Sequence, residues 1–211
     1  MVFGNMKDNN NTCNKNVKTT KCPFDPGVGY VTAKTQWEYA NTIDKSLSKV
    51  DVTNEYNLQA SLDPNDPLYI WQLYSLIGSQ PIYDIVSKFY HRVYADDEAP
   101  WFRDAFTKIA PLQHHINVQV AYWIDAMGGG KYYPGGNGRL NFHHYHNAND
   151  VMTADGAKRW MYHMRATLEN DIKFADPRVK PCIIDFLRIK MMSYAKTFGW
   201  KYDDNDMVLY Q

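Results

Sequence analysis

The sequence predicts an all-α protein. Three observations carry this reading. Apolar residues recur at three- and four-residue spacing from position 68 onward, hardly any stretch alternates with period two for long enough to make a sheet, and breakers separate the periodic runs. Leu68, Trp71 and Ile77 mark a short helix that stops at Gly78. The "SQP" at 79–81 starts the next helix, with Pro81 tolerated in its first turn, and Ile82, Ile85, Val86, Phe89 and Val93 form its apolar stripe. A long loop is expected over 96–111. Leu112, His115, Ile116, Gln119 and Trp123 then share one helical face, and "GGG" at 128–130 ends that helix. A second long loop is expected over 128–151. Thr153 can cap the following helix, whose stripe is Ala157, Trp160, Met161, Met164 and Leu168. Ile183, Phe186, Leu187, Met191, Tyr194 and Phe198 define the last helix, with Gly199 as its stop.

Ahead of these helices lies a different kind of chain. Residues 1–29 are rich in Asn, Lys and Thr, and their few apolar side chains cannot offset the entropy of ordering. Trp37, Ala40, Ile43 and Leu47 predict a short amphipathic helix near 35–48. The breaker "DPNDP" at 63–67 makes the best boundary, giving an N-terminal extension over 1–64, a helical domain over 65–200 and a tail over 201–211.

Composition narrows the function classes. The chain has 211 residues, of which 45% are hydrophobic and 15% aromatic, so a sizeable core is available. Its 23 basic and 23 acidic side chains cancel, so no basic field argues for nucleic acid or an anionic membrane surface. No segment has the roughly 18–20 continuous apolar residues that span a bilayer, and "MVFGNMKDNNNT" lacks the apolar core of a signal peptide. Cys13, Cys22 and Cys182 are scattered thiols that suit a reducing compartment. The expectation is a soluble intracellular protein.

Chemistry concentrates in "NFHHYHNAND" at 141–150, where His143, His144 and His146 fall within four positions after a glycine-rich loop. Taken alone, these imidazoles fit a solvated polar loop, a zinc site or an iron ligand. Zinc lacks support from any Cys or H-E-x-x-H partner at ligand spacing. The helices add polar groups on apolar stripes: His115 and Gln119 lie four apart on one face, Trp160 sits mid-stripe, and Tyr90 adjoins Phe89. Buried polar groups need partners. Each of these has an ordinary core reading, but together in one bundle they suggest a cavity where several donors meet a small polar ligand.

The order "KFYHRVYADDEAPWF", "AMGGGKYY", a His after the loop and "MTADGAKRWMYHM" resembles a truncated haemoglobin, most similar to group 2 and its plant members, over residues 68–198. The most specific pieces are "FY" at 89–90, "GG" at 128–129 followed by Tyr133, and "RWMYHM" at 159–164. The resemblance implies a two-over-two helical sandwich around haem b. It implies a proximal His about eighteen positions after the Gly pair, which is His146, and about thirteen before the Trp, which falls one residue later at Asn147. On this count His146 is the ligand of the haem iron. The same resemblance sets Tyr90, His115, Gln119 and Trp160 around the distal face, with Phe106 packing on the haem and His115 as a second, distal iron ligand or a solvent-facing gate. The sequence also departs from the family. Gly138-Arg139-Leu140 replaces Gly-His-Pro, Tyr145 replaces the Arg before the proximal His, and "NAND" replaces the Pro-Phe pair after it. Arg139, His144 and Tyr145 are the candidate propionate partners.

In functional terms, the resemblance implies a haem protein that binds O2, NO, CO or related diatomic ligands. Nitric oxide dioxygenase or peroxidase-like turnover, served by an unidentified reductase, is a further expectation. Two alternatives stay open on sequence alone: a gas or redox sensor using residues 1–64 for coupling, and a non-haem helical metal-binding protein.

Overall fold

The computed structural model describes residues 58–130, 132–133 and 136–203. The predicted helix near 35–48 and the extension before residue 58 lie outside them. Seven α-helices and no strand occur among the described residues: α1 Leu73–Ile77, α2 Ser79–Tyr94, α3 Pro100–Ile109, α4 Leu112–Ala126, α5 Gly136–His146, α6 Ala154–Ala166 and α7 Val179–Phe198. A 3-10 turn, Ile70–Gln72, leads into α1, a second, Asn149–Val151, precedes α6, and a π turn, Thr167–Asp171, prolongs α6.

The stripes of α2 and α7 become packing faces, whereas the predicted helix over Leu68, Trp71 and Ile77 is the turn Ile70–Gln72 followed by the short α1. Ile82, Ile85, Val86, Phe89 and Val93 of α2 are fully buried, where α2 packs against α4 and α6. Ile183, Phe186, Leu187 and Met191 bury the inner face of α7, which packs on α6. The pairs α2 with α4 and α6 with α7 make up the two-over-two arrangement of an all-α truncated globin fold. Thr153 caps α6 as the sequence predicts, its hydroxyl accepting from the Gly156 N–H at 3.1 Å. Gly199 stops α7 in the left-handed conformation, with φ 75°, and its N–H bonds back to Ala195 O.

The glycine run after α4 has a steric cause. Gly128 has φ 88°, and a Cβ there would stand 2.0 Å from the Trp71 carbonyl oxygen. Only a glycine lets the end of α4 lie this close to the turn ahead of α1. The loop beyond is held from inside by Asp125, wholly buried, whose carboxylate accepts the backbone N–H groups of Tyr132 and Tyr133.

Both predicted long loops contain a helix. Pro100 occupies the first turn of α3, and Phe102 and Phe106, four apart, bury its inner face. The stretch 128–151 contains α5, whose sequence "GNGRLNFHHYH" has no apolar stripe. Chain on the near side of the expected boundary at 63–67 contacts the helices. Leu58 is buried in the core, and Gln72 Nε2 donates to Gln59 O at 3.2 Å. Arg178, at the head of α7, donates to the carbonyls of Ser61, Asp63 and Asp66 at 2.7–2.9 Å. Beyond α7, Trp200 and Tyr202 pack against the core, so the fold continues past residue 200.

Candidate functional site

Helices α2 to α7 enclose a cavity of about 440 Å³, within the size range of small-molecule and cofactor sites. One wall carries the polar residues picked from the sequence. Tyr90 comes from α2, His115 and Gln119 from α4, and Trp160 from α6, and all four line the cavity. The His115 ring lies parallel to Tyr90 at 5.2 Å. Trp160 leans on Phe89 at 4.7 Å, and Phe106 packs edge-on to Tyr90. Tyr90 Oη, the Gln119 amide and Trp160 Nε1 have no hydrogen-bond partner among the described residues. Tyr90 is buried and Gln119 and Trp160 are half-buried, so these three donors face the cavity, where a polar ligand would receive them. Burial, reinforced by the nearby Tyr94, pushes the Tyr90 hydroxyl far above its ordinary pKa, so it is a neutral donor.

His115 differs from its expected role as a solvent-facing gate. It is only 7% exposed, and its Nε2–H donates to Phe106 O at 3.0 Å. Burial, the largest influence, holds its pKa below the ordinary histidine value, and the neighbouring His114 adds to this against the hydrogen bond. The second nitrogen, Nδ1, is therefore an acceptor. The corner between α3 and α4 fixes this residue, and Tyr94 Oη strengthens the corner by donating to Ala110 O at 2.6 Å.

Further lining comes from α5 and α7. His143 and His144 line the cavity, as does Arg139 at its rim. His143 is held below the usual histidine pKa by burial and then by the imidazole of His115 and the guanidinium of Arg139. His144, edge-on to Tyr194 at 4.7 Å, is pushed down to about 4, first by burial and then by His143 and Lys190. Both imidazoles are thus neutral at physiological pH, the state a metal ligand needs. The structure does not bring His146 or Tyr145 to this lining. His146 is exposed, with its ring 4.3 Å from that of Phe142. Tyr145 is exposed beside Phe198.

Sequence reasoning missed two residues on this side, Lys190 and Tyr194. Both line the cavity from α7. The signal was available, because Phe186, Lys190 and Tyr194 are spaced four apart and so place a lysine inside an apolar stripe. It also missed a buried charge cluster behind Trp160. Arg159 donates twice to the Asp96 carboxylate, from Nε at 2.7 Å and Nη2 at 2.5 Å, and His163 Nε2 donates to the same group at 2.7 Å. Burial alone would raise the Asp96 pKa, but the bonds from Arg159, His163 and the Ala99 N–H outweigh it and hold the carboxyl well below the usual range.

No three His, Cys, Asp or Glu side chains converge to hold a bare metal ion among the described residues. None of their helices is long and apolar enough to cross a membrane. A two-over-two helical sandwich around an aromatic cavity lined by unmet donors and neutral imidazoles is the architecture of the truncated globin class. The model of the family "Bacterial-like globin" matches residues 72–193, and the chain belongs to that family. It is similar to Group 2 truncated hemoglobin 3-1 of Lotus japonicus, at 31% identity over 124 residues, which cover 59% of this chain and 67% of the relative. It is also similar to Two-on-two hemoglobin-3 of Arabidopsis thaliana, at 29% identity over 109 residues, 51% of this chain and 61% of that protein. This chain thus spans about two thirds of the first relative's length and less of the second's. No solved structure matches at a significant level. Family membership makes haem the cofactor class and small gaseous molecules the ligand class, in general terms.

Proposed function

We propose that this cavity seats haem b and retains O2 and related diatomic ligands, with Tyr90, Gln119 and Trp160 as the donors that hold the ligand. The observation that carries the reading is the set of three donors with no partner, all lining one wall. The residues present fit the cofactor: the lining is largely aromatic, and neutral imidazoles line the same cavity as the donors. Haem, when bound, supplies an iron open to diatomic molecules. Everything else is the work of the chain. A hydrogen bond contributes roughly 0.5–1.5 kcal/mol net. Two or three such bonds to a polarised O2 would slow its release by about one to three orders of magnitude, since about 1.4 kcal/mol is tenfold. That suits retention or redox chemistry better than rapid unloading.

α5 would supply the histidine that holds the iron. His143 is the first reading, because it lines the cavity from α5 and is half-buried. His146 is the second reading, favoured by its spacing from Gly128. It would require the last turn of α5 to rotate, since three residues of helix set its side chain about 60° away from that of His143. Absorption spectra test both. Purified protein reconstituted with haem should show a Soret band. His143→Gly should lose haem unless imidazole is supplied, and His146→Gly should keep it. The reverse pattern would assign the ligand to His146, and no Soret band in the wild type would remove the haem reading.

A further inference from the structure

One buried carboxylate joins elements that hold the ligand donors. Asp96 stands between α2 and α3, and its side chain is 1% exposed. Its Oδ1 accepts the Ala99 N–H at the start of α3 at 3.1 Å and Arg159 Nη2 from α6 at 2.5 Å. Its Oδ2 accepts from Arg159 Nε and His163 Nε2, each at 2.7 Å. Four bonds saturate the carboxylate. Arg159 is fixed further by the Tyr162 ring, whose centre lies 4.6 Å from the guanidinium carbon, and by Glu98 at 3.0 Å. Phe102 stacks on His163 at 6.0 Å and leans on Phe106 at 4.9 Å. Phe106 carries the carbonyl that receives His115. Desolvating two ions offsets much of their attraction, so a buried pair adds little net stability over apolar packing. It does impose directions that apolar packing does not.

Arg159 and His163 are one turn apart on α6 and address Asp96 together. Trp160 lies about 100° further round the helix from Arg159 and lines the cavity. Two anchors on one carboxylate therefore set the rotation of α6 about its own axis. Side chains reach about 5–6 Å from a helix axis, so a turn of about 10° carries the indole by about 1 Å. An N–H donor works over about 2.7–3.2 Å, so that displacement makes or breaks its bond to a ligand. Phe89, 4.7 Å from the indole, supports the ring but imposes no hydrogen-bond direction. We propose that Asp96 is a positioning residue for ligand retention, which holds the Trp160 N–H on the bound diatomic molecule by fixing α6 through Arg159 and His163. The proposal rests on the haem reading above and deepens it, because it names the residue that sets the strength of one donor.

The test is a double-variant cycle on the full-length ferrous protein. It is read by stopped-flow O2 dissociation and by the stretching frequency of bound CO, which responds to donors at the ligand. Asp96→Asn should speed O2 dissociation by about three- to tenfold, the loss of one hydrogen bond. In the Trp160→Phe background the same substitution should add nothing, because the donor it positions is gone. Asp96→Asn should also shift the CO stretch in the direction that Trp160→Phe does. His163→Phe keeps a ring against Phe102 but removes one anchor, and should repeat both effects at smaller size; it carries the test if Asp96→Asn does not fold. Asp171→Asn breaks the ion pair from Arg92 at 2.8 Å, beyond the C-terminal end of α6. It should lower the melting temperature and leave both readouts unchanged, which separates stability from position. Equal acceleration by Asp96→Asn with and without Trp160→Phe would overturn the proposal, and so would unchanged O2 release in Asp96→Asn. If Trp160→Phe itself changes neither readout, the indole is not a donor and the proposal falls with it. A wild-type protein with no Soret band would instead remove the haem reading on which the proposal stands.

Discussion

At the scale of single residues, the distal wall works by division of labour. His115 is committed to the backbone through Nε2, so its free Nδ1 can accept but not donate. Reaching an iron would break the bond to Phe106 O and unstack the ring from Tyr90. The ferrous protein without added ligand should therefore be five-coordinate and high-spin, and His115→Leu should leave that spectrum in the same class. A low-spin wild-type spectrum that becomes high-spin in His115→Leu would show that the corner opens and that His115 ligates. The donors themselves should behave as a set. Trp160→Phe and Tyr90→Phe should each speed O2 dissociation by about three- to tenfold, one hydrogen bond's worth. The double variant should fall short of the product of the two effects, because both donors address one ligand. Unchanged stopped-flow rates in both single variants would remove them from the ligand's surroundings. In the sequence His115, Gln119 and Trp160 stand out as polar groups on apolar stripes and Tyr90 as the neighbour of Phe89, but grouping them around one ligand took the family resemblance. The sequence could not tell which nitrogen of His115 is occupied, since the acceptor is a backbone carbonyl nine residues away.

At the scale of elements, legibility depends on what each helix faces. α2, α4, α6 and α7 bury apolar stripes against one another, so period and stop signals expose them. α3 escaped because its sequence opens among Asp, Glu and Pro, although Pro100 and the Phe102–Phe106 spacing were the signals that could have found it. α5 escaped for a different reason: its inner face meets a cavity, so its residues are Arg and His rather than Val and Leu. The corner ahead of α3 is tied to α6 by Asp96, Arg159 and His163, contacts more than sixty residues apart in the chain that no local pattern reveals. This tie gives a pH prediction with a defined sign. Asp96 has a folded pKa below its unfolded value of about 3.9, so its contribution is in full above about pH 4 and is lost as pH falls toward the folded pKa. His163 acts in the same direction. Burial holds its pKa below the ordinary 6.5 despite the Asp96 bond, so stability begins to fall as pH drops through the unfolded histidine value. Melting temperature should thus decline below about pH 6.5 and more steeply below about pH 4. Asp96→Asn should cost about 1.5–3 kcal/mol at neutral pH, the size of a hydrogen bond to a charged group, with Arg159 left to its second carboxylate, Glu98, at 3.0 Å, and should flatten the acid limb. An acid limb that stays as steep in Asp96→Asn would assign the pH dependence to other groups.

At the scale of the molecule, what holds the sandwich together includes chain that lies ahead of its first helix. The breaker "DPNDP" reads as a domain edge because proline and aspartate end helices, and local composition says nothing about where the preceding backbone docks. In the structure, that backbone is the acceptor for Arg178, which is itself held by Asp176 through bonds from Nε at 3.0 Å and Nη2 at 2.6 Å. Arg178 heads α7, the helix that carries Lys190 and Tyr194, so the segment over 58–66 positions the α7 wall of the cavity from outside it. Leu58 adds burial near Gly128, where its Cδ2 would lie 3.4 Å from a Cβ at that glycine. A chain beginning at Leu58 keeps all of these contacts, and a chain beginning at Leu68 loses them. Burying a leucine is worth about 1.5–3 kcal/mol, and hydrogen bonds to a charged group about 1.5–3 kcal/mol. Removal of residues 58–67 should therefore cost on the order of 3–6 kcal/mol. At about 2–4 °C per kcal/mol for a domain of this size, the melting temperature should fall by roughly 6–24 °C. Thermal melts of the two truncations, run side by side, measure it. Equal melting temperatures would return the boundary to residues 63–67 and leave Arg178 as a surface contact.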